Sequence, residues 1–253
     1  MLKLKLSKIE KTVLCLSIAF AAYISFPVTA SAMHIMEGYL PIGHSLIWGA
    51  VCVPFVVWGV MRLRRTVEEN RRALILLAMS GAFIFVISAI KIPSVTGSSS
   101  HMTGTGLSAI LFGVGVTSIL AIIVLIFQAI LIAHGGLTTL GANTFSMGIA
   151  GPALTILLYK CGRKMKMSRT AAVFIAVSLG DLFAYCVTAI QLAMAHPGAS
   201  GGVAESAVLF LAVFAPTQVP LAVVEGLLTV LIITGMEHFA PKELSDIKFM
   251  EAG

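Results

Sequence analysis

Two histidines carry the chemistry this sequence suggests. His34 follows Met33 at once, in "ASAMHIMEGYLP" (30–41), and His101 stands in "PSVTGSSSHMTGTG" (93–106). If the chain is cut after Ala32, Met33 supplies a free α-amine directly before His34. That amine, the His34 amide nitrogen and the His34 Nδ1 can close consecutive chelate rings around one ion. One further imidazole, that of His101, completes a planar four-nitrogen set. Such a set suits Ni²⁺ or Cu²⁺, and low-spin Co²⁺ can be held in the same way. The ligands must be deprotonated, so binding weakens in acid.

The cut is written into the first segment. "MLKLKLSKIEK" is basic, "TVLCLSIAFAAYISF" is apolar, and "PVTASA" ends on small residues at Ala30 and Ala32. This is the layout of a secretory signal peptide. The reading is therefore a cleaved leader, 1–32, and a single membrane domain, 33–253, whose new N-terminus lies outside. Pro27 and the shortness of the apolar run argue against an uncleaved anchor.

The elements that must position these ligands are membrane helices. Of 253 residues, 58 % are hydrophobic and 11 % charged, with a mean hydropathy of +1.00. A soluble domain carries about a quarter charged residues, and several runs here approach the length of a spanning helix. The apolar runs are continuous, which excludes a β-barrel. The net charge of +6 gathers in short segments between apolar runs, so it points to the positive-inside rule and not to nucleic acid. "MRLRRTVEENRR" (61–72) and "KCGRKMKMSR" (160–169) are placed in the cytoplasm, with the charged tail after residue 236.

With residue 33 outside and 61–72 inside, the expected helices are near 43–61, 73–92, 104–115, 118–134, 145–160, 169–194 and 204–236. The fold class is all-α and polytopic, with about seven transmembrane helices. The turn in "FGVGVTS" (112–118) is needed to keep 160–169 inside. Pro216 and Pro220 mark the last stretch as kinked or preceded by a partial element. This topology puts His34 and His101 on one side of the membrane.

Other residues read more plainly. His44, His134, His196 and His238 lie near helix ends and are taken as interfacial. Glu37 either orients a ligand or faces water. Gln128, Asp181, Gln191, Gln218 and Glu225 are costly in a bilayer, and are read as hydrogen bonding between helices or to a partner. Cys15, Cys52, Cys161 and Cys186 form no C-x-x-C pair and are taken as packing residues. No G-x-x-x-x-G-K-[ST], H-E-x-x-H or G-x-S-x-G occurs. If ATP energises transport, another polypeptide hydrolyses it.

Five stretches carry a family resemblance: "MHIMEGYLP", "KIPSVTGSSSHMTGTGL", "AHGGLTTLGANTFSMGIAGP", "GDLFAYCVTAIQLAMA" and "FAPTQVPLAVVEGLLTV". They resemble the CbiM/NikM family, the substrate-binding membrane components of energy-coupling-factor (ECF) cobalt and nickel transporters. The resemblance implies an ECF S-component-like bundle in the inner membrane, binding Co²⁺ for cobalamin biosynthesis. Ni²⁺ is the alternative cargo, and a membrane metalloenzyme is the disfavoured reading. It implies metal ligation by the Met33 amine, the His34 amide and Nδ1, and His101. It also implies partners: a CbiQ-like coupling protein, a CbiO-like ATPase and a CbiN-like small membrane subunit. Met102 stands where family members often have proline, which alters loop stiffness and leaves the ligand in place.

Overall fold

The computed structural model describes residues 34–93 and 99–247. The expected leader, Met33 and Cys15 lie outside the described residues. Helix α1 (Ile42–Glu69) runs past the expected end at 61, so that Arg62, Arg64 and Arg65 ride on its last turns. Arginine and glutamate are good helix formers, and Arg65 pairs with Glu69 one turn on, at 3.2 Å. Helix α2 (Ala73–Ala89) follows. A two-residue ladder, β1 (Ile92–Pro93) against β2 (Ser99–Ser100), then pairs Ile92 with Ser100.

Helix α3 (Thr105–Ile132) is two rods. Gly113 sits at φ 87°, ψ 169°, a conformation that a side chain would strain. Ser108 Oγ and Thr117 Oγ1, nine positions apart, are 3.0 Å from each other. A straight helix would separate them by about 13 Å. The chain therefore reverses inside the stretch expected to turn, giving arms 105–112 and 114–132. The first arm is about 12 Å long, less than half a bilayer core. It does not span alone, as a helix near 104–115 was expected to.

Helix α4 (Leu140–Lys164) begins earlier than expected and contains a π-helical segment, Thr144–Ala150. Helix α5 (Arg169–Ala195) starts at Ser168, whose hydroxyl accepts from the Ala171 amide at 3.3 Å. Helix α6 (Gly202–Phe239) is one helix of 38 residues with Pro216 and Pro220 inside it, so no partial element precedes it, one of the two arrangements expected beside a kink. A short α7 (Pro241–Asp246) closes the tail.

Five of these helices are long and apolar enough to cross a membrane, and α2 is a shorter apolar helix. With the reversal in α3 they make a multi-pass bundle of seven rods. The apolar surface works in two directions. Leu107, Leu111, Tyr159, Val173, Ile233 and Leu244 form the core near the Arg-rich end. Ile84, Val116, Val124 and Met147 fill the space between α2, α3 and α4. Outward, large aliphatic residues such as Ile42 and Leu231 remain exposed, as lipid-facing positions must.

Without a hydrophobic drive between helices in lipid, packing and interhelical hydrogen bonds hold the bundle. Gln128 donates to Ser88 Oγ at 2.8 Å, and Gln191 donates to Ala142 O at 3.1 Å. Cys52 is buried and its thiol reaches Gly141 O at 3.2 Å. Cys161 is exposed, which departs from the packing role expected of it.

Candidate metal centre

The N-terminal segment is pinned before it reaches the histidines. Ile35 is buried with Leu40, Ala142 and Leu192. Its N–H donates to Asn143 Oδ1 at 2.8 Å, and its carbonyl accepts from Asn143 Nδ2 at 3.0 Å and Thr139 Oγ1 at 2.6 Å. Further along, the Tyr39 carbonyl lies 2.8 Å from His196 Nε2 at the end of α5. These bonds fix the backbone beside His34 and turn its ring inward.

The second ligand candidate arrives by the loop from β2. Ser100 Oγ pairs with Thr217 Oγ1 of α6 at 2.7 Å. The His101 carbonyl accepts from Gln218 Nε2 at 3.3 Å. Thr103 then meets two buried acids: its N–H lies 2.6 Å from Glu225 Oε2 and 3.2 Å from Asp181 Oδ1, and its hydroxyl donates to Glu225 Oε1 at 2.9 Å. Gln218 Nε2 also donates to Asp181 Oδ2 at 2.6 Å. The acids thus hold the His101 loop and join α5 to α6, the interhelical role expected of them.

The result is a cluster of three imidazoles: His34, His101 and His134, with one ring nitrogen from each lying within 4.8 Å of the others. Ring centroids are 4.3 Å apart for His34 and His101, 4.4 Å for His34 and His134, and 4.9 Å for His101 and His134. His34 and His101 come together as expected. His134, expected as an interfacial side chain, is instead buried in the protein, 1 % exposed. It follows α3, where Ala133 (φ 47°) and Gly135 (φ 75°) are both left-handed. A Cβ on Gly135 would meet Asn143 Nδ2 at 3.3 Å, so this turn presses against the residue that pins Ile35.

The hydrogen bonds fix which nitrogens are free. His101 Nδ1 lies 2.9 Å from Met102 O, and His34 Nε2 lies 3.0 Å from Met147 Sδ. A carbonyl and a thioether only accept, so both contacting nitrogens hold the protons. The lone pairs then sit on His34 Nδ1 and His101 Nε2. Those two atoms and His134 Nε2 are buried with no hydrogen-bond partner among the described residues. Leaving such groups unpaired costs about 1–3 kcal/mol each, which marks the space between them as one for an electrophile.

Burial also keeps the rings neutral. It pushes His101 down to about 4, although the bond to Met102 O opposes this. It holds His134 and His34 far below the usual imidazole range, and the neighbouring histidines add to the effect. Lys91 bears on all three rings and lowers each further. A neutral cluster of imidazoles selects borderline ions such as Co²⁺, Ni²⁺, Cu²⁺ or Zn²⁺ over Mg²⁺ and Ca²⁺, which prefer oxygen.

The remaining candidates lie elsewhere. Glu37 is exposed, and its carboxylate accepts from the Thr138 amide at 3.2 Å. It bonds the loop after His134 and none of the imidazoles, and the Thr138 bonds lower its pKa. His196 and His238 are exposed and His44 half-buried. His134 is the residue that the sequence reading missed. The available signal was its place on the same predicted external side as His34 and His101.

Fold and cluster together define a multi-pass helical membrane protein with buried nitrogen donors meeting near one end of its bundle. A transition metal transporter in truncated form has this architecture. Its crystal structure superposes with a TM-score of 0.70 at 26 % identity, over 81 % of this chain and 99 % of its own. The family model described as the cobalt uptake substrate-specific transmembrane region, CbiM, matches residues 34–243. The chain is 56 % identical to the cobalt transport protein CbiM of Lachnoclostridium phytofermentans, over 98 % of this chain and 99 % of that one. It is 49 % identical to CbiM of Ruminiclostridium cellulolyticum, over 95 % and 97 %. The chain belongs to the CbiM family.

Proposed function

We propose that the chain is the substrate-capture subunit of an ATP-driven cobalt importer of the energy-coupling-factor type. The observation that carries this is the set of unpartnered imidazole nitrogens in a buried, neutral space. The relatives' names, cobalt transport protein, give the cargo. The full ligand set is the Met33 amine freed by removal of 1–32, the His34 amide nitrogen and Nδ1, and His101 Nε2. The tautomers support it, since both imidazole ligands present a lone pair at the required atom.

The histidine end is the outer face and the Arg-rich end is cytoplasmic, in the inner membrane, by the distribution of charge. ATP hydrolysis belongs to CbiO-like partners acting through a CbiQ-like coupling protein, with a CbiN-like small subunit. The imported Co²⁺ feeds cobalamin biosynthesis. Ni²⁺ would use the same ligands, and the Irving–Williams order favours it at equal availability.

The test is uptake of radioactive Co²⁺ and Ni²⁺ by cells expressing this chain with its coupling, ATPase and small subunits. Co²⁺ uptake is expected to disappear in His34→Ala and in His101→Ala. Unchanged uptake in both would overturn the reading, and uptake of Ni²⁺ alone would move the chain to the nickel branch. N-terminal sequencing of the purified protein is expected to begin at Met33.

A further inference from the structure

A groove of about 450 Å³ lies between the end of α1, α2 and the second arm of α3. Every residue that lines it is apolar. Leu74, Ile123 and Phe127 on its walls are exposed, so it opens to the surface of the bundle. The small residues Ala78, Gly81 and Ala82 of α2 leave its space unfilled. At one end stand Leu63 and Leu74, beside the Arg-rich segment 61–72, and at the other stand Phe85 and Phe127.

The dimensions say what could lie there. Leu74 and Phe85 are eleven positions apart on one helix, a rise of about 16 Å. That is about half the hydrocarbon core of a bilayer, the depth of a single leaflet. A helix about 10 Å across would fill about 1,300 Å³ over the same length, about three times what the groove holds. The space suits one extended hydrocarbon chain entering from the Arg-rich end.

The charge at that end selects the headgroup. The Leu74 N–H donates to Arg71 O at 3.2 Å, so Arg71 stands one turn before Leu74 on the same face. Arg64 adjoins Leu63 on α1. Both arginines are exposed, and neither has an acidic partner among the described residues. Arg65, by contrast, pairs with Glu69, and Arg62 lies over the Trp58 ring. Basic residues between membrane helices hold anionic headgroups, and a guanidinium meets a phosphate with two parallel hydrogen bonds. We infer that the groove holds one anionic phospholipid of the leaflet at the Arg-rich end. An acyl chain lies along Ala78, Gly81 and Ala82, and the phosphate lies between Arg64 and Arg71.

The experiment uses the full chain, purified from membranes in detergent and washed free of lipid. Native mass spectrometry follows the titration of dioleoyl phosphatidylglycerol or dioleoyl phosphatidylcholine, whose acyl chains are identical. One phosphatidylglycerol should bind at least about tenfold more tightly than phosphatidylcholine. Arg64→Gln and Arg71→Gln should each weaken phosphatidylglycerol by about fivefold and leave phosphatidylcholine unchanged. Ala78→Leu, which fills the groove and keeps a good helix former, should weaken both lipids. Lys160→Gln, exposed in the other basic segment, should change neither. Equal affinity for the two lipids overturns the proposal. So does a loss in Lys160→Gln as large as that in Arg71→Gln, which would reduce the preference to overall charge. In intact membranes a photoreactive side chain at position 78 should become attached to a phospholipid. Attachment to a polypeptide would make the groove a docking surface for a partner's helix and overturn the proposal.

Discussion

Two polar clusters lie along one short loop and are built on opposite rules. At His101, buried nitrogens of three rings face one another, and three ring atoms have no hydrogen-bond partner among the described residues. At Thr103, two residues on, buried oxygens of Asp181 and Glu225 accept from the Thr103 N–H, the Thr103 hydroxyl and Gln218. Both clusters are buried, so both groups would be costly if unpaired. Satisfaction at Thr103 holds the loop, and deficiency at His101 is what a ligand can relieve. A buried polar group in this protein is thus informative by what it lacks.

That contrast can be broken most severely at the deficient cluster. His34→Ala or His101→Ala is expected to abolish high-affinity Co²⁺ binding, measured by isothermal titration. The melting temperature of the metal-free protein should hold or rise, because an unsatisfied group has been removed. The satisfied cluster should answer in the other sense. Glu225→Ala is expected to lower stability by about 3 kcal/mol, measured by thermal unfolding in detergent. Co²⁺ affinity should fall only as far as the His101 loop loosens.

Acid should act on the deficient cluster. His101 is held near 4 in the folded chain, against an ordinary value of about 6.5 in the unfolded one. As pH falls below about 6.5, the unfolded chain takes up protons first, so stability drops from there toward pH 4 and is complete above the window. A melting series of the metal-free protein at decreasing pH checks this, and His101→Asn should flatten the slope. The smallest effect belongs to Lys91, whose charge bears on all three imidazoles. Lys91→Gln should tighten Co²⁺ binding about two- to fivefold, with the gain shrinking as salt is raised.

Much of this was legible in the sequence because hydropathy and charge are local properties. The helices, the turn at 112–118 and the shared side of His34 and His101 follow from runs, basic segments and parity. The end of α1 was not legible, since arginines mark where polarity begins and not where a helix stops. His134 was hidden for a different reason. "AHGG" after an apolar run reads as a helix reaching an interface. What buries the ring is the segment after residue 33 folding onto it, held by Asn143 and Thr139 more than a hundred positions away in sequence. Likewise Asp181 and Glu225 stood out as polar residues in spans, but Thr103 between them could not be foreseen.

The clasp of Asn143 on Ile35 has a consequence for the order of events. Residues 34–40 leave the ribosome long before Thr139, Asn143 and Met147 exist. They find these partners only once α4 has formed, and the His101 loop finds its own, Thr217 and Gln218, only once α6 has docked. The histidines can then meet only in a finished molecule. The imidazole cluster becomes a certificate of complete assembly, and a half-inserted chain does not hold it.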